Sequence, residues 1–205
     1  VEGKVPPAPP AAVEGRYLPI TPLLLSVFLW SLAFSAVFAV WPNYMVSELD
    51  YTRAAMSRLW ALAALSEFPM MIMVGWLSDR VGRLLMLSLG LLCWTAVFLG
   101  YVVIPIYPWI LLVQLTRGFA FSAFTATAMI YATEVTSQAE RGRASGLYSA
   151  TGGLGAMLGG TIGGSLTQLL GFVPMILTCA GLVFGGAIYL AGVYVRWKGG
   201  SLPLP

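Results

Sequence analysis

Long uncharged runs separated by short polar segments dominate the chain. From Pro19 to Val40 no charged residue occurs, and this run exceeds the roughly 20 residues that an α-helix needs to cross the hydrocarbon core of a bilayer. Five further apolar runs follow it. The pattern therefore predicts six membrane-spanning helices, at residues 19–40, 59–77, 84–106, 109–133, 144–170 and 172–195.

The polar segments at the two ends set the predicted domain boundaries. Residues 1–17 are rich in Pro and Ala and have no hydrophobic period, which is typical of an extended linker or tail. Residues 18–196 form the predicted transmembrane domain, and residues 197–205 a short tail. The chain begins at Val1 rather than Met, which suggests that it was cut from a longer polypeptide.

The membrane segment divides into two parts of equal length. Spans one to three and spans four to six each occupy about 88 residues. Two three-helix units of opposite orientation in the membrane are typical of an inverted repeat. The fold class that we predict is an all-α membrane protein built from two inverted three-helix repeats.

Composition narrows the function classes. Of 205 residues only 9% are charged and 59% are hydrophobic, whereas a soluble domain carries roughly 25% charged residues. The few basic residues are scattered, so we predict no nucleic-acid partner. There is no His, and neither Cys93 nor Cys179 belongs to a metal-binding motif, so we predict no metal, no cofactor and no enzymatic activity.

The basic residues also predict the orientation. If both termini lie on one side, that side receives eight Lys or Arg residues and the other side receives only Arg53 and Arg58. The excess places both termini in the cytoplasm. We therefore expect a multi-pass protein of the cell membrane, with the lipid bilayer as its first partner.

Two ionisable residues fall inside predicted spans. Glu67 in span two and Arg117 in span four both lie about nine residues from the outer end of their helix, roughly 13 Å below the surface. Because a lone charge in hydrocarbon costs at least about 2.5 kcal/mol, each needs a partner or water. Their equal depth makes an ion pair possible, and we predict Glu67 as a proton or cation site and Arg117 as a substrate or counter-charge group; a static structural pair is the alternative.

Further candidates for the solute pathway lie on two helices. Gln114 and Thr125 share one face of span four with Arg117. On span one, Trp30 begins an aromatic stripe that continues through Phe34, Val37 and Trp41. That stripe could equally be ordinary packing. In span five, small residues at intervals of four predict close helix packing, at Gly155, Gly159, Gly160, Gly163 and Gly164.

The loop GWLSDRVGR, residues 75–83, is the most specific motif. Gly75 and Gly82 allow the chain to turn tightly, while Asp79, Arg80 and Arg83 are placed to bind each other and the ends of nearby helices. By topology the nearest acid is Glu134 at the end of span four, so these six residues form a candidate conformational gate.

These motifs resemble the major facilitator superfamily. The loop is similar to the family signature between the second and third helices, with Leu84 in place of the last basic residue, and the span-five glycines are similar to an antiporter motif, with Gly160 in place of Pro. Runs 66–83 and 140–160 look most like a C-terminal half of the nucleoside and phenylpropionate proton-symporter branch; an N-terminal half of a drug or sugar transporter is the alternative.

The resemblance implies a function. A complete facilitator has twelve helices, so this chain would be one half of a proton-coupled secondary transporter that moves a small organic solute by alternating access. Its partners would then be a second six-helix half, the solute and protons. The alternative is a non-transporting membrane subunit derived from this fold, which scaffolds or assists assembly of a larger membrane complex with other membrane subunits.

Overall fold

The computed structural model of the protein describes residues 20–136 and 138–198. These residues form long helices joined by short links. The helices are α1 (Thr21–Ser47), α2 (Arg53–Val81), α3 (Arg83–Val103), α4 (Trp109–Glu134), α5 (Arg141–Leu170) and α6 (Phe172–Lys198). The predicted all-α membrane fold is confirmed. The predicted segment 1–17 lies outside the described residues, as does most of the predicted tail, whose first residues belong to α6.

Local sequence explains most helix boundaries. Pro22 lies in the first turn of α1, where a backbone N–H has no partner within the helix, so the missing N–H of proline costs no hydrogen bond. The side chain of Thr52 caps α2 by accepting a hydrogen bond from the Ala55 amide at 3.2 Å. Gly82, with φ +97°, separates α2 from α3, and Gly171, with φ +89°, separates α5 from α6.

The predicted end of the first span near Trp41 is wrong, because α1 continues through Pro42 to Ser47. Pro42 removes one helical hydrogen bond, but the following turn is anchored by packing. Tyr44 is buried, donates a hydrogen bond to the Tyr101 carbonyl at 3.2 Å and contacts the Phe172 ring. The predicted start of the second span, at residue 59, is too late for the helix, since α2 begins at Arg53 directly after its Thr52 cap.

Five of the six helices are long and apolar enough to span a membrane, and α5 is the exception. Its 30 residues extend about 45 Å, so its length suffices. Its many Gly, Ser and Thr residues lower its hydropathy. The same small residues let it pack closely along α1, as described below.

The helix packing has the symmetry of an inverted repeat. Helix α5 packs along α1 as α2 packs along α4, and the α3–α4 contact is matched by the α6–α1 contact. The remaining large contact, between α3 and α6, maps onto itself when the two three-helix units are exchanged. The division that equal lengths predicted is therefore present in the packing, with α2 and α5 in equivalent peripheral positions.

The links at the opposite end from the GWLSDRVGR loop are tied together by one tyrosine. The Tyr51 hydroxyl, between α1 and α2, donates a hydrogen bond to the Pro105 carbonyl, between α3 and α4, at 2.6 Å. Partial burial raises the pKa of Tyr51, so the hydroxyl remains a donor at neutral pH. This contact joins the two links at the end of the bundle where α4 begins, which is the end nearer to Arg117.

Candidate functional site

Arg117 is a buried cation in the middle of the helix bundle. It projects from α4, and only 4% of its surface is exposed. Its guanidinium lies over the Phe38 ring of α1 at 4.7 Å and the Trp60 ring of α2 at 4.5 Å. Two aromatic faces thus take the place of water around the charge, and each stabilises it by about 0.5–2 kcal/mol.

The polar groups around Arg117 have unused hydrogen-bonding capacity. Gln114 is fully buried one turn away and accepts a long hydrogen bond from Arg117 at 3.4 Å through its Oε1 atom. The buried Tyr101 hydroxyl lies within hydrogen-bonding reach of both Gln114 and Arg117, but the Nε2 atom of Gln114, the Nε atom of Arg117 and this hydroxyl make no hydrogen bond of good geometry. Buried polar groups are rarely left unpaired, so this cluster has the character of a binding site.

Glu67 does not form the ion pair with Arg117 that their equal depth made possible. The two charges attract each other electrostatically, but the ion pairs found in the structure are elsewhere. Side chains on a helix lean toward its N-terminus, and Arg117 consequently contacts Trp60, which lies seven residues before Glu67 on α2. Glu67 is half-buried, and its backbone carbonyl accepts a hydrogen bond from Ser122 at 3.0 Å.

Trp30 and Thr125 lie in a different layer from Arg117. Trp30 is buried against Phe34 and Phe124, with ring centroids 5.2 and 5.0 Å apart. The Thr125 hydroxyl and the Trp30 indole nitrogen are both buried and unpartnered. The aromatic stripe continues from Trp30 through Phe34 to Phe38, so it connects this layer with the one around Arg117.

Three residues of the Arg117 cluster were not among the sequence-predicted site residues: Phe38, Trp60 and Tyr101. Phe38 continues the spacing of four that starts at Trp30 and Phe34, which was the available signal. Trp60 and Tyr101 had no such signal, because aromatic residues at helical spacing are common in any helix core. Their proximity to Arg117 results from how α2, α3 and α4 pack.

Arg83 is the centre of the charged cluster at the other end of the bundle. Its guanidinium contacts the Asp79 carboxylate at 2.6 Å and makes two hydrogen bonds to Glu134, from Nε at 3.1 Å and from NH2 at 2.9 Å. A third contact, from NH1, reaches the Ser78 hydroxyl. The end of α2, the start of α3 and the end of α4 are therefore tied together through one side chain.

The predicted loop at residues 75–83 is wrong except at Gly82, because residues 75–81 belong to α2 and Arg83 begins α3. Arg80 does not join the charged cluster but stacks on Trp76, with its guanidinium 3.6 Å from the ring centroid. Gly82 has the positive φ that favours glycine. Gly75 lies inside α2, so the tight turn predicted there is absent, and an added Cβ would meet no atom within 4 Å.

The glycines of α5 divide by helix face. A Cβ added at Gly155, Gly159 or Gly163 would lie 2.7, 2.2 and 2.5 Å from backbone oxygens of α1. These three glycines therefore let the two backbones touch. Gly160 is only near the Ser35 hydroxyl at 3.5 Å, and Gly164 meets nothing within 4 Å, so Gly164 takes no part in this packing.

The described part of the chain contains no group of His, Cys, Asp or Glu side chains that could hold a metal ion. What it does contain is a six-helix membrane bundle with an inverted repeat, a buried cation at its centre and a charged cluster at one end. These features define a membrane transporter fold. The family model of the major facilitator superfamily matches residues 23–202, and the chain belongs to that superfamily.

One curated relative extends the comparison. The chain is 26% identical over 178 residues to a protein of Deinococcus radiodurans that bears the name "Putative sugar efflux transporter". The match covers 86% of this chain but 43% of the relative. The chain therefore spans less than half the length of that protein.

Proposed function

We propose that this chain is one six-helix half of a secondary active transporter that moves a small polar organic solute by alternating access. Family membership and a relative named for sugar efflux support transport in general. The observation that carries the proposal is the Arg117 cluster, where a buried cation, an amide and a phenol lie together between aromatic rings with incomplete hydrogen bonding.

The surfaces of α2 and α5 support a second half as partner. Each of these helices packs mainly against a single neighbour, and large apolar side chains remain exposed on both, including Phe68 at 75% and Met157 at 64%. The two helices occupy equivalent positions in the repeat. A second six-helix unit, in the same polypeptide or another, would cover both surfaces at once, and lipid would cover the remaining sides.

The charged cluster around Arg83 is the proposed gate. In this state it holds α2, α3 and α4 together at one end of the bundle. Alternating access requires that end to open and close, so contacts that exist in only one state bias the equilibrium between states. The excess of basic residues at this end of the bundle supports its placement in the cytoplasm, with both termini.

Glu67 is the proposed proton site. It is the only acidic residue in the middle of any described helix, and it lies on α2 close enough to Arg117 to be attracted by its charge. A carboxylate that exchanges protons near the solute-binding charge can couple the two. Proton coupling would make the protein a symporter or an antiporter, according to the direction in which the solute moves.

The test is transport by the full-length polypeptide reconstituted in liposomes. A panel of radiolabelled sugars and organic acids is offered with and without an imposed pH gradient, in both directions. At least one solute is expected to cross faster than in protein-free liposomes and to exchange with unlabelled solute. If the folded protein moves no solute of the panel, transport loses its support and the non-transporting membrane subunit becomes the better explanation.

A further inference from the structure

Arg117 forms no ion pair with any carboxylate of the described residues. It is 96% buried by surface, yet both of its cation–π partners are uncharged rings and its hydrogen-bond partner is a neutral amide. The half-buried carboxylate of Glu67 attracts Arg117 electrostatically but does not pair with it. A buried cation without a counter-ion is expensive in a membrane, so the site favours a ligand that supplies the missing negative charge.

The groups around Arg117 whose hydrogen bonding is incomplete are mainly donors. The Nε atom of Arg117 and the Nε2 atom of Gln114 can only donate, and the Tyr101 hydroxyl within their reach can accept from one of them and donate its own hydrogen to a ligand. The Gln114 oxygen, which could have received a donor from a ligand, is already turned toward Arg117. An array of donors around a guanidinium is the arrangement that recognises a carboxylate.

The aromatic rings define the rest of the ligand. Phe38 is half-buried and Trp60 is 37% exposed, so these two rings separate Arg117 from the outside of the bundle. Once displaced, they would offer apolar faces to the carbon skeleton of a solute whose charged group has reached Arg117.

From this arrangement we infer that the transported solute is a small organic anion, whose carboxylate binds Arg117, Gln114 and Tyr101 while its carbon skeleton contacts Phe38 and Trp60. This inference rests on the proposed transport function and makes it more specific. A sugar acid fits the description, whereas a neutral sugar would leave the charge of Arg117 uncompensated.

Binding of matched acid and neutral compounds tests the inference on the purified full-length polypeptide. The probes are glucuronate with glucose, galacturonate with galactose, gluconate with glucitol, and benzoate with benzyl alcohol. Binding is followed by tryptophan fluorescence, because Trp60 lies against Arg117, and by thermal stabilisation. At least one acid is expected to bind at least about tenfold more tightly than its neutral partner, which is the effect of one charge-assisted hydrogen bond.

Variants distinguish Arg117 from a general effect of positive charge. Arg117→Gln is expected to weaken binding of the acid about 10- to 100-fold, Arg117→Lys less, and Arg141→Gln, which removes an exposed arginine on α5, not at all. Should Arg117→Gln unfold the protein, Gln114→Leu serves as the second variant, with a smaller loss of acid binding expected.

Two outcomes would overturn the inference: no acid of the panel binds more tightly than its neutral partner, or the folded Arg117 and Gln114 variants bind the acid as the unmodified protein does. Transport of a neutral sugar with unchanged rate in Arg117→Gln would also overturn it while leaving the transport function intact. Selective binding of an acid without any transport would instead retain the site and remove the transport function.

Discussion

Arg83 and Glu134 form a two-point ion pair that joins the first residue of α3 to the last residue of α4. The Nε atom lies 3.1 Å from one carboxylate oxygen and the NH2 atom 2.9 Å from the other. This bidentate geometry is the most specific that an arginine and a carboxylate can adopt. Asp79 shares the same guanidinium, so a single side chain connects three helix ends.

Loss of this pair is expected to open the charged end of the bundle more often. Glu134 is about half exposed, so the pair contributes no more than about 1 kcal/mol, which corresponds to an up to about fivefold change in population. The measurement is the rate at which a membrane-impermeant maleimide labels an Ala144→Cys reporter, at a position only 3% exposed in this state, in a background without Cys93 and Cys179. Glu134→Gln should label up to about fivefold faster.

The control for this experiment is Arg141→Gln, which removes an exposed charge from the same end of the bundle but no contact of the cluster. It should label at the unmodified rate. In a double-mutant cycle, the effects of Arg83→Gln and Glu134→Gln on the labelling rate should not add. Once Arg83→Gln has removed the guanidinium, Glu134→Gln has no ion pair left to break. Equal labelling rates in Glu134→Gln and the unmodified protein would exclude the cluster as a gate.

The sequence was sufficient to predict the six helices, but not to predict which side chains meet between them. Uncharged runs identify membrane helices because the bilayer excludes charge, and that argument needs no tertiary structure. The extension of α1 to Ser47 could not be predicted, because it depends on the contact of Tyr44 with Tyr101 and Phe172. The cap that starts α2 early, Thr52, is a local signal that could have been used.

The candidate site could be predicted only in part, because its contacts also depend on how the helices pack. A charge inside an apolar run is visible in the sequence, so Arg117 and Glu67 could be selected. Depth along a helix locates the Cα atom only, and the long side chain of Arg117 reaches a different level of α2 from the one that depth suggested. The rings of Phe38 and Trp60 cover Arg117 because of helix packing, which a single sequence does not encode in any local pattern.

Glu67→Gln is expected to abolish accumulation of the solute driven by a pH gradient while sparing exchange of labelled for unlabelled solute. The amide keeps the size of the carboxyl group but cannot bind or release a proton, whereas exchange requires no net proton movement. The two activities are measured in the same liposomes. Glu48→Gln, at the C-terminal cap of α1, is the control and should retain both. Persistent accumulation in Glu67→Gln would make Glu67 a structural residue.

Trp60→Ala is expected to destabilise the folded protein by removing one of the two aromatic faces on Arg117. The cation–π contact contributes about 0.5–2 kcal/mol, which corresponds to a fall of a few degrees in the midpoint of thermal unfolding in detergent. Trp60→Phe keeps a ring over the guanidinium and should lose less. Trp109→Ala is the control, because Trp109 is 54% exposed at the start of α4; equal losses in the two alanine variants would show that the contact with Arg117 does not matter.

Replacement of glycine by alanine on α5 is expected to have opposite effects on stability at Gly159 and at Gly164, five residues apart. At Gly159 a methyl group would lie 2.2 Å from the Leu32 carbonyl oxygen of α1, whereas at Gly164 it would meet nothing within 4 Å. Gly159→Ala must therefore push the two backbones apart, at a cost of about 1–3 kcal/mol. Gly164→Ala only improves helix propensity, by up to about 1 kcal/mol.

Thermal unfolding in detergent should show a lower midpoint for Gly159→Ala and an equal or higher one for Gly164→Ala. A Gly159→Ala protein as stable as the unmodified one would mean that α1 and α5 do not pack backbone to backbone.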